Sequence, residues 1–325
     1  MVLVLCGYAL LAACVIFFSA RLGYYVDLLD KKTSLASAFI GGVMLAAVTS
    51  LPEMFTSITS VAQIGKPELV IGNLLGSDLF NVFVLGAVFL LSFKGLMRAK
   101  VTRSHLTTAV CVLIVYGILM VAMIADNSLF FGGVSLISLV IFGLYLWSVC
   151  KMSGDEDTAD EEDVSPLTLR AVVVRFVIYA VLLVIASILI TYASDYLGTE
   201  LGWGATFAGA ILLGIATSLP EMISCFVLAR IGNFNAMIGN IVGSNIFNFA
   251  VLLLADLVYW NRQIYVFTPQ AKLLIGLGMV SALAALVLVR TLCTTNDGRN
   301  RPAALVALLS AVPVVTYVMF VLLSA

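Results

Sequence analysis

Long apolar stretches, separated by short polar ones, occupy almost the whole chain. A helix needs about 20 mostly apolar residues to span a bilayer. Ten windows of about that length are present, at 2–20, 35–62, 68–92, 104–124, 129–150, 171–193, 204–229, 234–259, 271–291 and 302–324. The windows at 35–62 and 68–92, and their later counterparts, contain Gly, Pro or polar residues that favour bent or broken helices. The pattern predicts an all-α membrane protein with ten transmembrane helices.

Composition supports this prediction. Of the 325 residues 62% are hydrophobic and only 11% are charged, whereas soluble domains carry about 25% charged residues. The net charge of −1 and the absence of a basic tract predict no nucleic-acid partner. The six cysteines are scattered singly and His105 is the one histidine, so we expect no zinc site and no cofactor. Residues 2–20 follow no positive charge, so we interpret them as a first span, not a secretory signal.

Lysine and arginine are distributed unevenly between the two predicted sides of the membrane. Fourteen of them lie in or beside the first, third, fifth, seventh and ninth connections between the predicted spans, which share one side. Only three, Lys66, Arg262 and Lys272, lie on the other side. Positively charged residues concentrate on the cytoplasmic side of membrane proteins. The sequence therefore predicts a multi-pass protein of the cell membrane (the inner membrane in a Gram-negative cell) with both termini outside.

The longest polar connection, 151–170, divides the chain into two sets of five spans, 1–150 and 171–325. Seven acidic residues lie between Asp155 and Asp163. We interpret this segment as a solvated cytoplasmic linker. Weak regulatory cation binding is the alternative, although the spacing is not that of an EF-hand loop.

Two motifs occur once in each half. TSLPEM stands at 49–54 and again at 217–222, and IGNLLGSDLFN at 71–81 is answered by IGNIVGSNIFN at 238–248. Because each half has an odd number of spans, the second half must enter the membrane in the opposite sense. Inverted repeats of this kind are common in secondary transporters, whose ion sites lie near the midplane where interrupted helices meet.

The first motif supplies oxygen ligands. Glu53 and Thr49 are four residues apart and share a helix face, with Ser50 beside them, and Thr217, Ser218 and Glu221 repeat the arrangement. Each proline also frees a backbone carbonyl one turn earlier. Carboxylates, hydroxyls and carbonyls are the ligands that Ca²⁺ and Na⁺ prefer. Without cations, two like charges would face each other in a low dielectric, so protons are alternative occupants.

The second motif adds further oxygen atoms. Ser77 and Asn81 are four apart, as are Ser244 and Asn248, and four glycines allow close helix approach. Asp78 occupies the position of Asn245 in the other half. It either adds a third carboxylate to the site or caps unwound backbone nearby. Asp126, Asp195 and Asp256 lie near predicted span ends, where we expect them to be solvated.

In these two motifs the chain resembles the cation/Ca²⁺ exchanger superfamily, which includes the sodium/calcium exchangers and their prokaryotic relatives. The resemblance extends over the whole chain and places the family's two alpha motifs at 41–86 and 209–253. It implies antiport of Ca²⁺ against Na⁺ by alternating access, in which the first and sixth spans slide across the other eight. It also implies a set of cation ligands: Glu53, Glu221, Thr49, Thr217, Ser50, Ser218, Ser77, Ser244, Asn81, Asn248, and the carbonyls of Ala46 and Gly214.

Some alternatives stay open at this stage. Some prokaryotic members carry aspartate at the position of Asn248, so the coupling ion could be H⁺ or K⁺ instead of Na⁺. A cation-gated channel would use the same ligands. An intramembrane enzyme is disfavoured, since the sequence has no H-E-x-x-H motif and no adjacent nucleophile–base pair. The expected partners are the transported ions and the lipid bilayer, and a monomer is sufficient for the proposed chemistry.

Overall fold

A computed structural model describes residues 2–32, 49–125, 129–152, 167–294 and 301–324. Within these ranges the helices that follow the predicted spans are α1 (Val2–Lys32), α2 (Leu51–Thr59), α3 (Pro67–Leu91), α4 (Ser104–Ala125), α5 (Leu136–Met152), α6 (Leu169–Glu200), α7 (Ala205–Arg230), α8 (Phe234–Val258), α9 (Pro269–Thr294) and α10 (Ala303–Ser324). A short helix, Phe93–Leu96, follows α3, and the strands Phe130–Phe131 and Val134–Ser135 form a small antiparallel hairpin before α5.

Eight of the described helices are long and apolar enough to cross a membrane: α1, α3, α4, α6, α7, α8, α9 and α10. Helix α5 is shorter but also apolar. Helix α2 begins at Leu51, two residues after a stretch outside the described residues, which includes Ala46, Gly41 and the start of the window at 35–62. The protein is therefore an all-helical, multi-pass membrane protein.

The helices differ in how deeply they are buried. In α3 and α8, 78% of the most apolar window is buried in the protein, against 17% in α1 and 22% in α6. A large apolar cluster joins α3 and α8 to α4, α9 and α10. Helices α1 and α6 pack mainly on each other, through Val15, Leu22, Leu183 and Ile190 and the stacked rings of Tyr25 and Tyr179. The two motif helices α3 and α8 thus form the centre of the fold.

The prediction of broken helices is correct for one motif and wrong for the other. Helix α2 passes into a π-helical turn at Ser60–Ile64, and α7 contains one at Gly209–Leu213 as well as the internal Pro220. Helices α3 and α8, however, run without a break through IGNLLGSDLFN and IGNIVGSNIFN. Their glycines accept close neighbours and leave the helix intact, so Asp78 has no unwound backbone to cap.

Close backbone contact between α3 and α7 explains two of these glycines. A Cβ atom on Gly72 would lie 2.1 Å from the Thr206 carbonyl oxygen, and one on Gly76 would lie 2.5 Å from the Ala210 Cα. A Cβ atom on Gly209, on α7, would likewise lie 2.6 Å from the Leu69 carbonyl oxygen of α3. Small residues let membrane helices approach to backbone contact. This contact sets the distance between the Glu221-bearing helix and the Ser77-bearing helix.

The three aspartates that the sequence placed at span ends have different surroundings. Asp256 is fully buried, and its Oδ2 accepts hydrogen bonds from the Ser135 backbone N–H (2.8 Å) and the Ser138 hydroxyl (2.6 Å) at the start of α5. It acts as a helix N-cap supplied by a different helix, so the prediction of a solvated side chain is wrong there. Asp195 forms an ion pair with Lys66 at 2.6 Å, and Asp126 lies outside the described residues.

Candidate cation site

The two glutamates of the TSLPEM motifs are fully buried at the centre of the protein. Pro52 stands at the start of α2 and Pro220 inside α7, each directly before its glutamate. Glu53 and Glu221 both have 0% exposure. A buried carboxylate is costly unless hydrogen bonds or a cation offset the lost hydration. The surroundings of each glutamate therefore decide what the site can hold.

Hydroxyl groups surround each carboxylate, three of them from the opposite half and one, Ser244, from the same half as the glutamate it binds. Ser218 donates to Glu53 Oε1 at 3.3 Å, and Thr217 also lies beside Glu53. In the reciprocal arrangement Thr49 lies beside Glu221, whose Oε1 accepts from Ser244 at 3.2 Å. The structure therefore brings the two acids together through the same residue types on both sides.

Further contacts close the ring of hydroxyls. Ser50 and Ser244 are 2.9 Å apart and bridge α2 to α8. Ser77 donates to the Gly214 carbonyl at 3.3 Å and lies 3.5 Å from the Thr217 hydroxyl, so α3 meets α7 in the same way. The eight hydroxyl and carboxylate residues predicted from the first motif and from the serines of the second are all in this cluster. Ala46, the matching carbonyl donor, lies outside the described residues.

The second motifs bring a group of amides to the contact between α3 and α8. Asn248 Nδ2 donates to Asp78 Oδ1 at 2.9 Å, and Asn81 Nδ2 donates to Asn245 Oδ1 at 3.0 Å. Asn245 Nδ2 in turn donates to the Asp78 backbone carbonyl at 3.2 Å. All four side chains are almost completely buried. The predicted ligands Asn81 and Asn248 are thus held by two neighbours, of which Asn245 was not among the predicted ligands.

Five buried oxygen atoms in this region have no hydrogen-bond partner among the described residues. They are Glu53 Oε2, Glu221 Oε2, Asp78 Oδ2, Asn81 Oδ1 and Asn248 Oδ1. Buried polar atoms without a partner are rare, and each one needs an explanation. All five are hard oxygen acceptors of the kind that binds Ca²⁺ or Na⁺, and soft thiolate or imidazole ligands are absent from this group. The donor set therefore fits a dehydrated hard cation.

Asp78 does not join the two glutamates as a third acid on one ion. Among the described residues, no three acidic, histidine or cysteine side chains lie close enough together to hold a metal. The carboxylate of Asp78 instead uses one oxygen to hold Asn248. The expectation of a third carboxylate in the same coordination shell is therefore not supported.

Asn73 and Asn240 occupy matching positions in the two halves but have different contacts. Asn73 Nδ2 donates to the Thr56 hydroxyl at 2.9 Å and to the Ser57 hydroxyl at 3.2 Å, fastening α3 to α2. Asn240 Nδ2 has no partner among the described residues. It lines a cavity of about 340 Å³ between α1, α7 and α8. The cavity reaches Thr49 at the edge of the cluster, and Ser19 and Ser224 add polar atoms to a lining that is otherwise mostly apolar.

Comparisons with known proteins identify the family. The family model described as sodium/calcium exchanger protein matches residues 3–151 and 171–325, on both sides of the acidic linker. The chain belongs to the sodium/calcium exchanger family. It is accordingly a membrane antiporter of the cation/Ca²⁺ exchanger type and not an enzyme.

Individual relatives agree with this assignment. A protein of Alkalimonas amylolytica, provisionally named antiporter CaxA, is 28% identical over 261 residues, which cover 78% of each chain. The solved structure of the H⁺/Ca²⁺ exchanger CAX has a TM-score of 0.70 at 13% identity and covers 99% of this chain and 88% of its own. A structure of the sodium-calcium exchanger NCX_Mj, soaked with Na⁺ and Sr²⁺, has a TM-score of 0.59 at 18% identity and covers 99% of both chains. These structural likenesses establish the fold shared with the exchangers.

Proposed function

We propose that this antiporter exchanges Ca²⁺ for Na⁺ at the cluster formed by Glu53, Glu221 and their hydroxyl partners. The observation that carries the proposal is the convergence of two buried carboxylates, one from each half, each with one oxygen held by a hydroxyl and the other without a donor among the described residues. Two carboxylates neutralise one Ca²⁺ or two monovalent cations. The same cluster can therefore hold either kind of ion in turn, as antiport requires.

The transport cycle that we propose is alternating access around this fixed site. The protein would have ten spans as two inverted five-helix repeats, 1–150 and 171–325, with the acidic linker 151–170 in the cytoplasm and both termini outside. Helices α1 and α6, which pack on each other and are the least buried long helices, would slide across the remaining eight. The cavity beside α1 would give the ion a path to Thr49 past the side chains of Ser19, Ser224 and Asn240. In a Gram-negative cell the location would be the inner membrane.

Coupling to Na⁺ is tested by radiocalcium uptake into proteoliposomes. Vesicles loaded with Na⁺ and diluted into Na⁺-free buffer should accumulate calcium, whereas vesicles loaded with choline should not. Uptake that follows an imposed pH gradient and ignores Na⁺ would assign H⁺ coupling to the same site, and uptake driven only by internal K⁺ would assign K⁺. Counterflow separates exchange from a channel, because unlabelled calcium inside the vesicles accelerates labelled uptake only in an exchanger.

A further inference from the structure

Asp78 and Asn245 directly follow the Gly-Ser pair of the second motif, one in each half. Each of them contacts a predicted ligand of the opposite half. Asp78 on α3 holds Asn248 on α8, and Asn245 on α8 holds Asn81 on α3. Each therefore fixes the amide that the opposite half presents to the cation cluster. The pairing is reciprocal, although one member is a carboxylate and the other an amide.

The hydrogen bonds in this network run in one consistent direction. With Asp78 as a carboxylate, which has no hydrogen to donate, Asn248 turns its Nδ2 toward Asp78 and its Oδ1 away. The backbone carbonyl of Asp78 is likewise only an acceptor, so Asn245 must give it Nδ2 and offer Oδ1 to Asn81. Asn81 consequently donates through Nδ2. The orientation of both ligand amides follows from acceptor atoms of the single residue Asp78.

The free atoms are the ones that a cation needs. Asn81 Oδ1 and Asn248 Oδ1 are both fully buried and have no partner among the described residues. If either amide turned over, an NH₂ group would take the place of this free oxygen atom. Its hydrogen atoms carry partial positive charge and cannot coordinate a cation.

We infer that Asp78 and Asn245 are positioning residues that hold the Asn248 and Asn81 amides with their oxygen atoms toward the transported cation. They raise cation affinity without binding the ion in the same shell as the two glutamates. Asp78 has the larger effect, because a hydrogen bond to a carboxylate is stronger than one between amides. This inference rests on the proposed function, since it assumes that Ca²⁺ occupies the cluster.

The experiment compares Ca²⁺-dependent uptake, as KM and maximal rate, for the purified full chain and five variants. Asp78→Leu should raise the KM for Ca²⁺ by about tenfold or more, the loss expected for one hydrogen bond to a charged group. Asn245→Leu, which changes no charge, should raise it by about threefold. Ser310→Ala is the control, because among the described residues that hydroxyl bonds to the Val306 carbonyl of its own helix alone, and its KM should match that of the wild-type protein.

An exchange of the two side chains supplies the rescue. The double variant Asp78→Asn/Asn248→Asp keeps the net charge and the hydrogen bond but puts a carboxylate on the ion side. Both oxygen atoms of a carboxylate are acceptors, so either one can face the ion. The KM of the double variant should return to within about threefold of the wild-type value, below that of Asp78→Leu. Asp78→Asn alone keeps the side-chain size, so it still gives a measurement if Asp78→Leu does not fold, and it should raise the KM.

The outcomes distinguish the inference from the function. Folded Asp78→Leu or Asp78→Asn protein with the wild-type KM overturns the inference and leaves calcium transport intact. So does an effect of Asp78→Leu that Asn245→Leu does not share at all, because charge alone would then be the cause. A wild-type protein that takes up no calcium under any gradient overturns the proposed function, and the inference with it.

Discussion

The two halves of this protein carry nearly the same predicted ligands, but the contacts of the residues around those ligands differ. In the first half Asn73 is tied to Thr56 and Ser57, and a carboxylate follows the Gly-Ser pair. In the second half the equivalent Asn240 faces the cavity beside α1, and an amide follows the Gly-Ser pair. The duplicated residues that we propose as ion ligands are of the same types in both halves, whereas the residues around them differ. The comparison separates what the ion requires from what each half does for packing and access.

Removing the charge of Glu53 or Glu221 tests the residues that the two halves share, and it should have the largest effect on calcium uptake. Glu53→Gln or Glu221→Gln replaces a carboxylate oxygen by an NH₂ group and leaves one negative charge for a divalent ion. Either change should reduce calcium uptake to the level of empty vesicles, because intramembrane acids of this kind serve the ion pathway. Radiocalcium uptake measures the loss, and size-exclusion chromatography in detergent checks that each variant is folded.

Glu53→Gln and Glu221→Gln should lose calcium uptake to the same extent, because both carboxylates are expected to bind the same ion. Ser310→Ala, which removes a buried hydroxyl far along the chain on α10, serves as the matched control with normal uptake. If one glutamine variant transported calcium at close to the wild-type rate, the two carboxylates would not form a single site, and the assignment of Glu53 and Glu221 would be wrong.

The matching glycines Gly72 and Gly239 should respond unequally to the same added methyl group. A Cβ on Gly72 would meet the backbone carbonyl of Thr206 at 2.1 Å, whereas one on Gly239 would meet the His105 ring at 2.8 Å. A side chain can shift where a backbone in close helix contact cannot. We therefore expect Gly72→Ala to cost about 1–3 kcal/mol or more through overpacking, and Gly239→Ala to cost less.

Thermal unfolding in detergent, followed for both variants in parallel, measures this difference. Gly72→Ala should have the lower midpoint and the lower yield of folded protein. Equal midpoints for the two variants would show that α3 and α7 can separate at no cost, which contradicts a rigid contact at the site.

Much of this arrangement follows from the sequence, and the reasons for the failures are physical. The duplicated carboxylates and hydroxyls are readable because a charge in an apolar window is costly and needs a use. The continuity of α3 and α8 is not readable, since Gly in a membrane helix permits both unwinding and close packing, and only the neighbouring helix decides between them. Asp256 could not be placed either, because its partners Ser135 and Ser138 are distant in sequence. Asn245 had a usable signal, namely its match to Asp78 in the repeat.

Substituting the matching asparagines tests the asymmetric part of the comparison and should have the smallest effect on transport. Asn73→Leu removes hydrogen bonds to the buried hydroxyls of Thr56 and Ser57 and a longer one, of 3.5 Å, from Thr217, so it should destabilise the protein by about 1–3 kcal/mol. Asn240→Leu loses no hydrogen bond to a described residue but removes one of the few polar side chains that line the cavity. We expect it to leave the unfolding midpoint nearly unchanged and to slow maximal calcium uptake by a few-fold, because a dehydrating ion loses a polar group along its path. Measuring the unfolding midpoint and the maximal rate for both variants separates the two roles. An Asn73→Leu protein with the wild-type unfolding midpoint would contradict the packing role of Asn73. An Asn240→Leu protein that transports at the wild-type rate would contradict the role of Asn240 in the ion path.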